Sequence, residues 1–231
     1  MNENAAAVRK TALISDDDEF FRVALSSVLS ARLGFAKIIQ TKSFDGAVAE
    51  LSGNEDVELA LFDLNMPGMN NWQNLRTVRE CFPAVRVAVV SASQERNDIL
   101  MALSIGLQGY ISKGLGVLEL ARAIRSICEG DVYLPPYFPD LPITDGILVL
   151  PPDPEPLHRS GVGFLTGFTP RQCEVLEMLV EGKSNKAMAR ALDLSEGTIK
   201  FHLSAVFRIL GATNRVEAAT SGTRLLDRER L

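Results

Sequence analysis

The sequence predicts an α/β unit, a (βα)5 doubly wound parallel sheet, followed by a small all-α unit of four helices. Three observations carry this. Short apolar runs alternate with helically spaced segments across residues 11–128, the pattern of parallel strands joined by right-handed helical crossovers. Eight of the eleven prolines fall within residues 131–167, where they oppose regular structure. Beyond that stretch, apolar residues recur only at helical spacing. The expected boundaries are therefore 8–130 for the α/β unit, 131–167 for a linker and 168–231 for the helical unit.

At 231 residues and 46% hydrophobic content, the chain can bury two modest cores. No apolar run approaches the ~20 residues that cross a bilayer, and the first ten residues lack a signal peptide's apolar segment. A cytoplasmic location with no membrane partner is expected. Cys81, Cys128 and Cys173 show no paired spacing, which argues against a disulfide frame or zinc site and suggests core thiols. The net charge of -5 is uneven: residues 1–167 carry 14 Lys and Arg against 21 Asp and Glu, and residues 168–231 carry 10 against 8. That is weak support for a nucleic-acid partner.

The first strand is Thr11–Ser15. It ends at Asp16-Asp17-Asp18-Glu19, after which Phe20, Phe21, Ala24, Leu25, Val28 and Leu29 mark a helix capped by Asp17 or Asp18. The alternation continues with strand Ala36–Gln40, helix Phe44–Leu51, strand Leu59–Asp63 and helix Asn71–Cys81. Strand Val85–Val90, helix Asn97–Ile105, strand Tyr110–Ser112 and helix Val117–Cys128 complete it.

In such a sheet the ligand crevice lies at the carboxyl ends of the strands. Those ends carry Asp16 and Asp17, Asp63, Ser91, and Lys113. Like charges gathered at one edge repel, and a divalent cation is the usual reason to collect them. One chemistry uses the whole set. Asp17, Asp63 and a carbonyl near Asn65 ligate Mg2+, Asp16 acts through water, Asp63 attacks phosphorus in line, and Lys113 with Ser91 holds the phosphoryl oxygens.

With Asp16-Asp17, Asp63-Leu-Asn-Met-Pro-Gly68, Ser91-Ala92 and Tyr110-Ile-Ser-Lys113, residues 11–130 resemble the receiver domain of two-component response regulators. The resemblance implies phosphorylation of Asp63 by a sensor histidine kinase, with Ser91 and Tyr110 as the switch. Asn71, Ile105 and Leu107 depart from the family pattern.

In the linker, Ile147-Leu-Val-Leu150 is fully apolar, and is expected to pack on a domain or form an edge strand. His158 is expected to be an exposed linker residue.

The second half opens with a helix capped at Thr169, with Pro170 in its first position and Gly182 at its end. Helix Asn185–Leu192 follows. Ser195 caps a third helix running to Gly211, and Asn214–Leu225 forms a fourth. A tight turn between the second and third makes a helix-turn-helix.

The set Thr169-Pro-Arg-Gln-Cys-Glu-Val-Leu176, Gly182-Lys-Ser-Asn-Lys186, Leu194-Ser-Glu-Gly-Thr-Ile-Lys200, His202 and Leu210-Gly211 resembles the LuxR-type DNA-binding domain. With the receiver, this resembles the NarL/FixJ class and implies a transcription factor that binds double-stranded DNA as a homodimer when phosphorylated. Thr198, Lys200, Phe201 and Ser204 are the candidates facing the major groove, and Ser184, Asn185, Lys186 and His202 the candidates for phosphate contacts. Phe201 is bulkier than the family's usual aliphatic and Ser204 replaces a frequent base, so modest monomer affinity is expected.

No enzyme activity is expected beyond self-phosphorylation from a phosphodonor and slow autodephosphorylation. Two other readings compete with this one. An aspartyl-phosphate phosphohydrolase needs a second acid two residues after the nucleophile, where this chain has Asn65. An atypical receiver that binds partners without turning over phosphate is opposed by the intact acids and Lys113 and favoured by Asn71, Ile105 and the long linker.

Overall fold

The computed structural model describes residues 9–69, 72–136, 143–144, 147–148 and 168–229. The first unit runs β1 (Arg9–Ser15), α1 (Glu19–Leu33), β2 (Phe35–Thr41), α2 (Phe44–Gly53), β3 (Val57–Phe62) and α3 (Trp72–Cys81). It continues with β4 (Arg86–Ser91), α4 (Arg96–Ser104), β5 (Gly109–Ser112) and α5 (Val117–Glu129). The five strands are parallel in the order β2-β1-β3-β4-β5.

The apolar runs are continuous because both faces of the sheet are covered. Leu13, Ala60, Phe62, Val87 and Val89 point into one core with residues of α2, α3 and α4. Their neighbours Ala12, Ile14, Leu59, Leu61, Ala88 and Val90 point into the other, against α1 and α5. Ile105 and Leu107 are buried in the first core, so these two departures fill space there.

Strand order reverses between β1 and β3, which opens the crevice at their carboxyl ends. Asp63, expected as the last residue of a strand, lies one residue past β3, although its N–H still reaches the Ser15 carbonyl at 2.8 Å. Asp18 caps α1, accepting from the N–H groups of Phe20 and Phe21 at 2.9 and 3.2 Å, and Gly34 ends it at φ 72°. Asn71, the expected start of the third helix, lies outside the described residues, and α3 begins at Trp72.

After α5 the chain returns along β5. The Tyr133 N–H donates to Gln108 and its carbonyl accepts from Tyr110, each at 3.0 Å. In the linker, β6 (Ile143–Thr144) and β7 (Ile147–Leu148) pair antiparallel. The remainder of the apolar segment and His158 lie outside the described residues.

The second unit comprises α6 (Pro170–Val180), α7 (Asn185–Leu192), α8 (Glu196–Ile209) and α9 (Arg215–Glu229) around its own core of Val175, Leu176, Met188, Ile199 and Val206. Thr169 and Gln172 close a capping box on α6, and Ser184 and Ser195 cap α7 and α8. Of the three cysteines, Cys173 is buried and Cys128 half-buried, but Cys81 is exposed at the end of α3. The last corrects the expectation of a core thiol. No helix among the described residues is long and apolar enough to cross a membrane.

Candidate phosphoryl-acceptor site and nucleic-acid interface

Backbone pairing brings the candidate acceptor site together. The Asp63 N–H meets the Ser15 carbonyl, Asp16 N–H donates to Thr41, and Lys113 N–H donates to the Ser91 carbonyl at 2.8 Å. Each bond extends a sheet ladder past its strand, so the side chains converge where the ladders stop. Carboxylate oxygens of Asp16, Asp17 and Asp63 lie within 4.8 Å of one another. Asp16 and Asp63 are buried, whereas Asp17 is exposed toward the mouth.

Lys113 neutralises part of this charge. Its Nζ lies 2.7 Å from Asp16 Oδ2 and 3.1 Å from Asp63 Oδ2, and 4.8 Å from the centre of the Phe21 ring. Burial alone would lower the ammonium's pKa, but the bond to Asp16 and the charge and bond of Asp63 outweigh it and raise the pKa. Asp16 is pushed up, mainly by burial and also by the Asp63 charge, against the opposing pull of Lys113. The other oxygen of Asp63, Oδ1, is buried with no hydrogen-bond partner among the described residues. An acidic pocket with one bare carboxylate oxygen suits a hard divalent cation and an electrophile together.

Ser91 is fully buried and its Oγ accepts from Ser93 N–H at 3.1 Å. It does not cap α4, whose N-cap position is Glu95. Tyr110 is fully buried and its hydroxyl donates to the Ser93 carbonyl at 3.0 Å. Asn65 is exposed in the turn after Asp63. Two participants had no distinct signal in the sequence: Phe21 under the Lys113 ammonium, and Arg22, whose Nη1 donates to the Asp16 carbonyl at 2.7 Å. Both sit at positions that look like ordinary helix residues.

The nucleic-acid candidates divide by exposure. Ser184, Lys186, Lys200 and Ser204 are exposed, and Asn185 is partly covered, accepting from Arg215 Nη1 at 3.1 Å. Thr198 is buried, 2.9 Å from Ser195 Oγ through its hydroxyl. Phe201 and His202 are each only 2% exposed, because α8 packs on α2 and α3 of the first unit.

The Phe201 ring lies 5.6 Å from that of Phe44. His202 Nε2 lies 3.1 Å from Asp45 Oδ1, close enough for an ion pair but outside hydrogen-bond geometry, and its Nδ1 has no hydrogen-bond partner among the described residues. Arg171 Nε donates to Asp45 Oδ2 at 3.2 Å, Gln172 Nε2 to Asn74 Oδ1 at 3.2 Å, and Arg208 Nη1 to Thr77 Oγ1 at 2.8 Å, with Glu80 beside it. None of these cross-unit pairs was expected from the sequence.

Comparison with known proteins agrees with both units. Residues 12–125 match the response regulator receiver domain family, and residues 166–221 match the luxR family of bacterial regulatory proteins. The glycerol metabolism activator of Pseudomonas putida is 35% identical over 213 residues, covering 90% of this chain and 93% of that protein. The nitrate/nitrite response regulator protein NarL of Escherichia coli K12 is 28% identical over 209 residues, covering 90% and 93%. Among solved structures, the RcsB response regulator of Salmonella typhimurium shares the fold, with a TM-score of 0.52 at 17% identity over 91% of this chain and 98% of that one.

The chain belongs to the response regulators, in the NarL/FixJ class. It is a transcriptional regulator controlled by phosphorylation, of a kind that works with sensor kinases and DNA.

Proposed function

We propose that Asp63 is the phosphoryl acceptor. The observation that carries this is the convergence on Asp63: its carboxylate lies within 4.8 Å of those of Asp16 and Asp17, and its Oδ2 is 3.1 Å from Lys113 Nζ. In the transfer, an Asp63 oxygen–phosphorus bond forms as the phosphorus–nitrogen bond of the kinase phosphohistidine breaks, and the electron pair leaves on the imidazole nitrogen. Lys113 and the Ser91 hydroxyl take the new phosphoryl oxygens.

Asp16, Asp17, Asp63 and the Asn65 carbonyl are the groups that would hold Mg2+, which when bound supplies charge neutralisation at the phosphoryl oxygens. Ser91 and Tyr110 carry the switch. The same groups allow self-phosphorylation from a small phosphodonor and slow autodephosphorylation.

The phosphorylated form pairs as a homodimer through α1 and α5, a reading supported by the exposure of Phe20, Val23, Val117 and Leu118. Once released from α2, α8 presents Thr198, Lys200, Phe201 and Ser204 to the major groove, with Ser184, Asn185, Lys186 and His202 toward phosphates. A cytoplasmic location goes with these partners.

The test is incubation with acetyl phosphate and Mg2+ followed by mass measurement. The expected result is an acid-labile adduct of roughly 80 Da that disappears in Asp63→Asn. An unmodified wild-type protein, or an adduct that survives the substitution, would refute Asp63 as acceptor.

A further inference from the structure

We infer that Phe21, in the first turn of α1, is a positioning residue for phosphoryl transfer: its ring holds the Lys113 ammonium between Asp16 and Asp63. The inference rests on Asp63 being the acceptor and adds a residue to that site. A lysine ammonium is a compact charge with three N–H donors on a flexible stem. Its carboxylate partners are Asp16 Oδ2 at 2.7 Å and Asp63 Oδ2 at 3.1 Å. Nζ also lies over the face of the Phe21 ring, 4.8 Å from its centre, inside the ~6 Å within which the ring's quadrupole attracts a cation.

The ring is itself held. Phe21 N–H donates to the capping carboxylate of Asp18 at 3.2 Å, and the adjacent Arg22 donates from Nη1 to the Asp16 carbonyl at 2.7 Å. Phe21 is half-buried and packs on the core beneath α1 and α5. On the opposite side, Lys113 N–H is fixed to the Ser91 carbonyl at 2.8 Å. Both backbones are anchored, and the ring restrains the lysine stem where α1 overhangs it.

The restraint matters most while charge moves. With acetyl phosphate as donor, a carboxylate oxygen of Asp63 bonds to phosphorus as the bond from phosphorus to the acetyl oxygen breaks, and the electron pair leaves on acetate. Asp63 thereby loses its carboxylate charge, and the phosphoryl oxygens become the anion that Lys113 must reach. One of the two ion pairs dissolves during the step, while the contacts to Asp16 and Phe21 persist. An interaction that counts for more in the transition state than in the resting site raises the rate.

The test compares full-length wild type, Phe21→Leu and Phe21→Tyr. Leucine keeps an apolar side chain without a quadrupole, and tyrosine keeps the ring. Without donor or Mg2+, the Lys113 methylene protons are read by NMR and assigned by their loss in Lys113→Arg. Protons over an aromatic face resonate upfield, so shifted signals are expected in wild type and Phe21→Tyr and not in Phe21→Leu. Uptake from acetyl phosphate in Mg2+ is then followed by mass. Phe21→Leu is expected to be roughly threefold slower, the size of effect a partly exposed cation–π contact supplies, and Phe21→Tyr to match wild type. Phe21→Met, unbranched and adaptable in packing, repeats the comparison if leucine lowers the melting temperature.

Unshifted Lys113 signals in wild type, or equal uptake by wild type and Phe21→Leu, would overturn the inference. So would a Phe21→Tyr as slow as Phe21→Leu, which would make the effect one of packing on α1. If wild type itself takes up no phosphate, the acceptor reading fails and the positioning role with it, while the NMR signature, recorded without donor, separately decides whether the ring holds the ammonium.

Discussion

Asp45 and His202 meet across the two units with carboxylate Oδ1 3.1 Å from imidazole Nε2, the imidazole 2% exposed and the carboxylate 25%. A residue expected to approach a DNA phosphate instead faces an acid on the receiver. Docked in this way, the imidazole is covered by the receiver and faces a carboxylate.

The Asp45 contact has a defined acid limit. Burial raises the carboxyl's pKa, but His202 and then Arg171 outweigh burial and hold it below the ordinary 3.8. A depressed folded value means the contribution to stability is complete above the unfolded value and is lost as pH falls through the folded one. The urea stability difference between wild type and Asp45→Asn should therefore be fully present at about pH 5 and shrink toward zero below about pH 4. A difference that grows on acidification would contradict the sign.

Phe201 and Arg208 should weigh very differently at the same interface. Phe201 is 2% exposed inside an apolar cluster, so Phe201→Ala should cost about 3 kcal/mol of full-length stability. Arg208 pairs with a Glu80 side chain that is 51% exposed, and Arg208→Ala should cost less than about 1 kcal/mol beyond its bond to Thr77. Urea unfolding of the two variants in parallel checks the ranking.

Mg2+ should stabilise the wild-type chain. Three carboxylates within 4.8 Å repel in its absence, and a ligand that binds only the folded state raises the melting temperature with its concentration. Asp17→Asn removes an exposed ligand without disturbing Lys113, and should abolish most of the Mg2+-dependent rise. Calorimetric scans with and without millimolar Mg2+ test this, and an equal rise in both proteins would place the ion elsewhere.

Tyr110→Phe keeps the ring and removes the bond from the hydroxyl to the Ser93 carbonyl at 3.0 Å. A loss of about 1 kcal/mol is expected. Because the freed carbonyl is in the β4–α4 connection, hydrogen exchange should rise there more than in α1. Uniform exchange across the receiver would argue that the bond does not hold that connection.

The candidate acceptor site is legible in the sequence because each member stands at a strand end, and strand ends are marked by short-range pattern. Asp16, Asp63, Ser91 and Lys113 could be aligned without knowing any distance. The strand limits themselves shifted by one or two residues, as at β3, where the ladder stops before Asp63.

The interface between units left no comparable trace. Asp45 reads as an acid favourable in a helix's first turn, and Arg171 lies 126 positions away. Phe201 and His202 follow the periodicity of a helix surface, and nothing local distinguishes a face that will meet DNA from one that packs on a neighbouring domain. Docking depends on two surfaces fitting, which a pattern within either one does not encode.

The pairing of Tyr133 with β5 also sets the arithmetic of opening. The tether to the helical unit starts there, leaving 34 residues before Phe168, and a chain of that length reaches at most about 3.4 Å per residue. Because α8 is covalently joined to the receiver, its contact with α2 and α3 is intramolecular, and such a contact forms at an effective concentration set by the chain between the partners. The closed form needs only a weak intrinsic affinity to predominate, and a second molecule must be abundant to displace it.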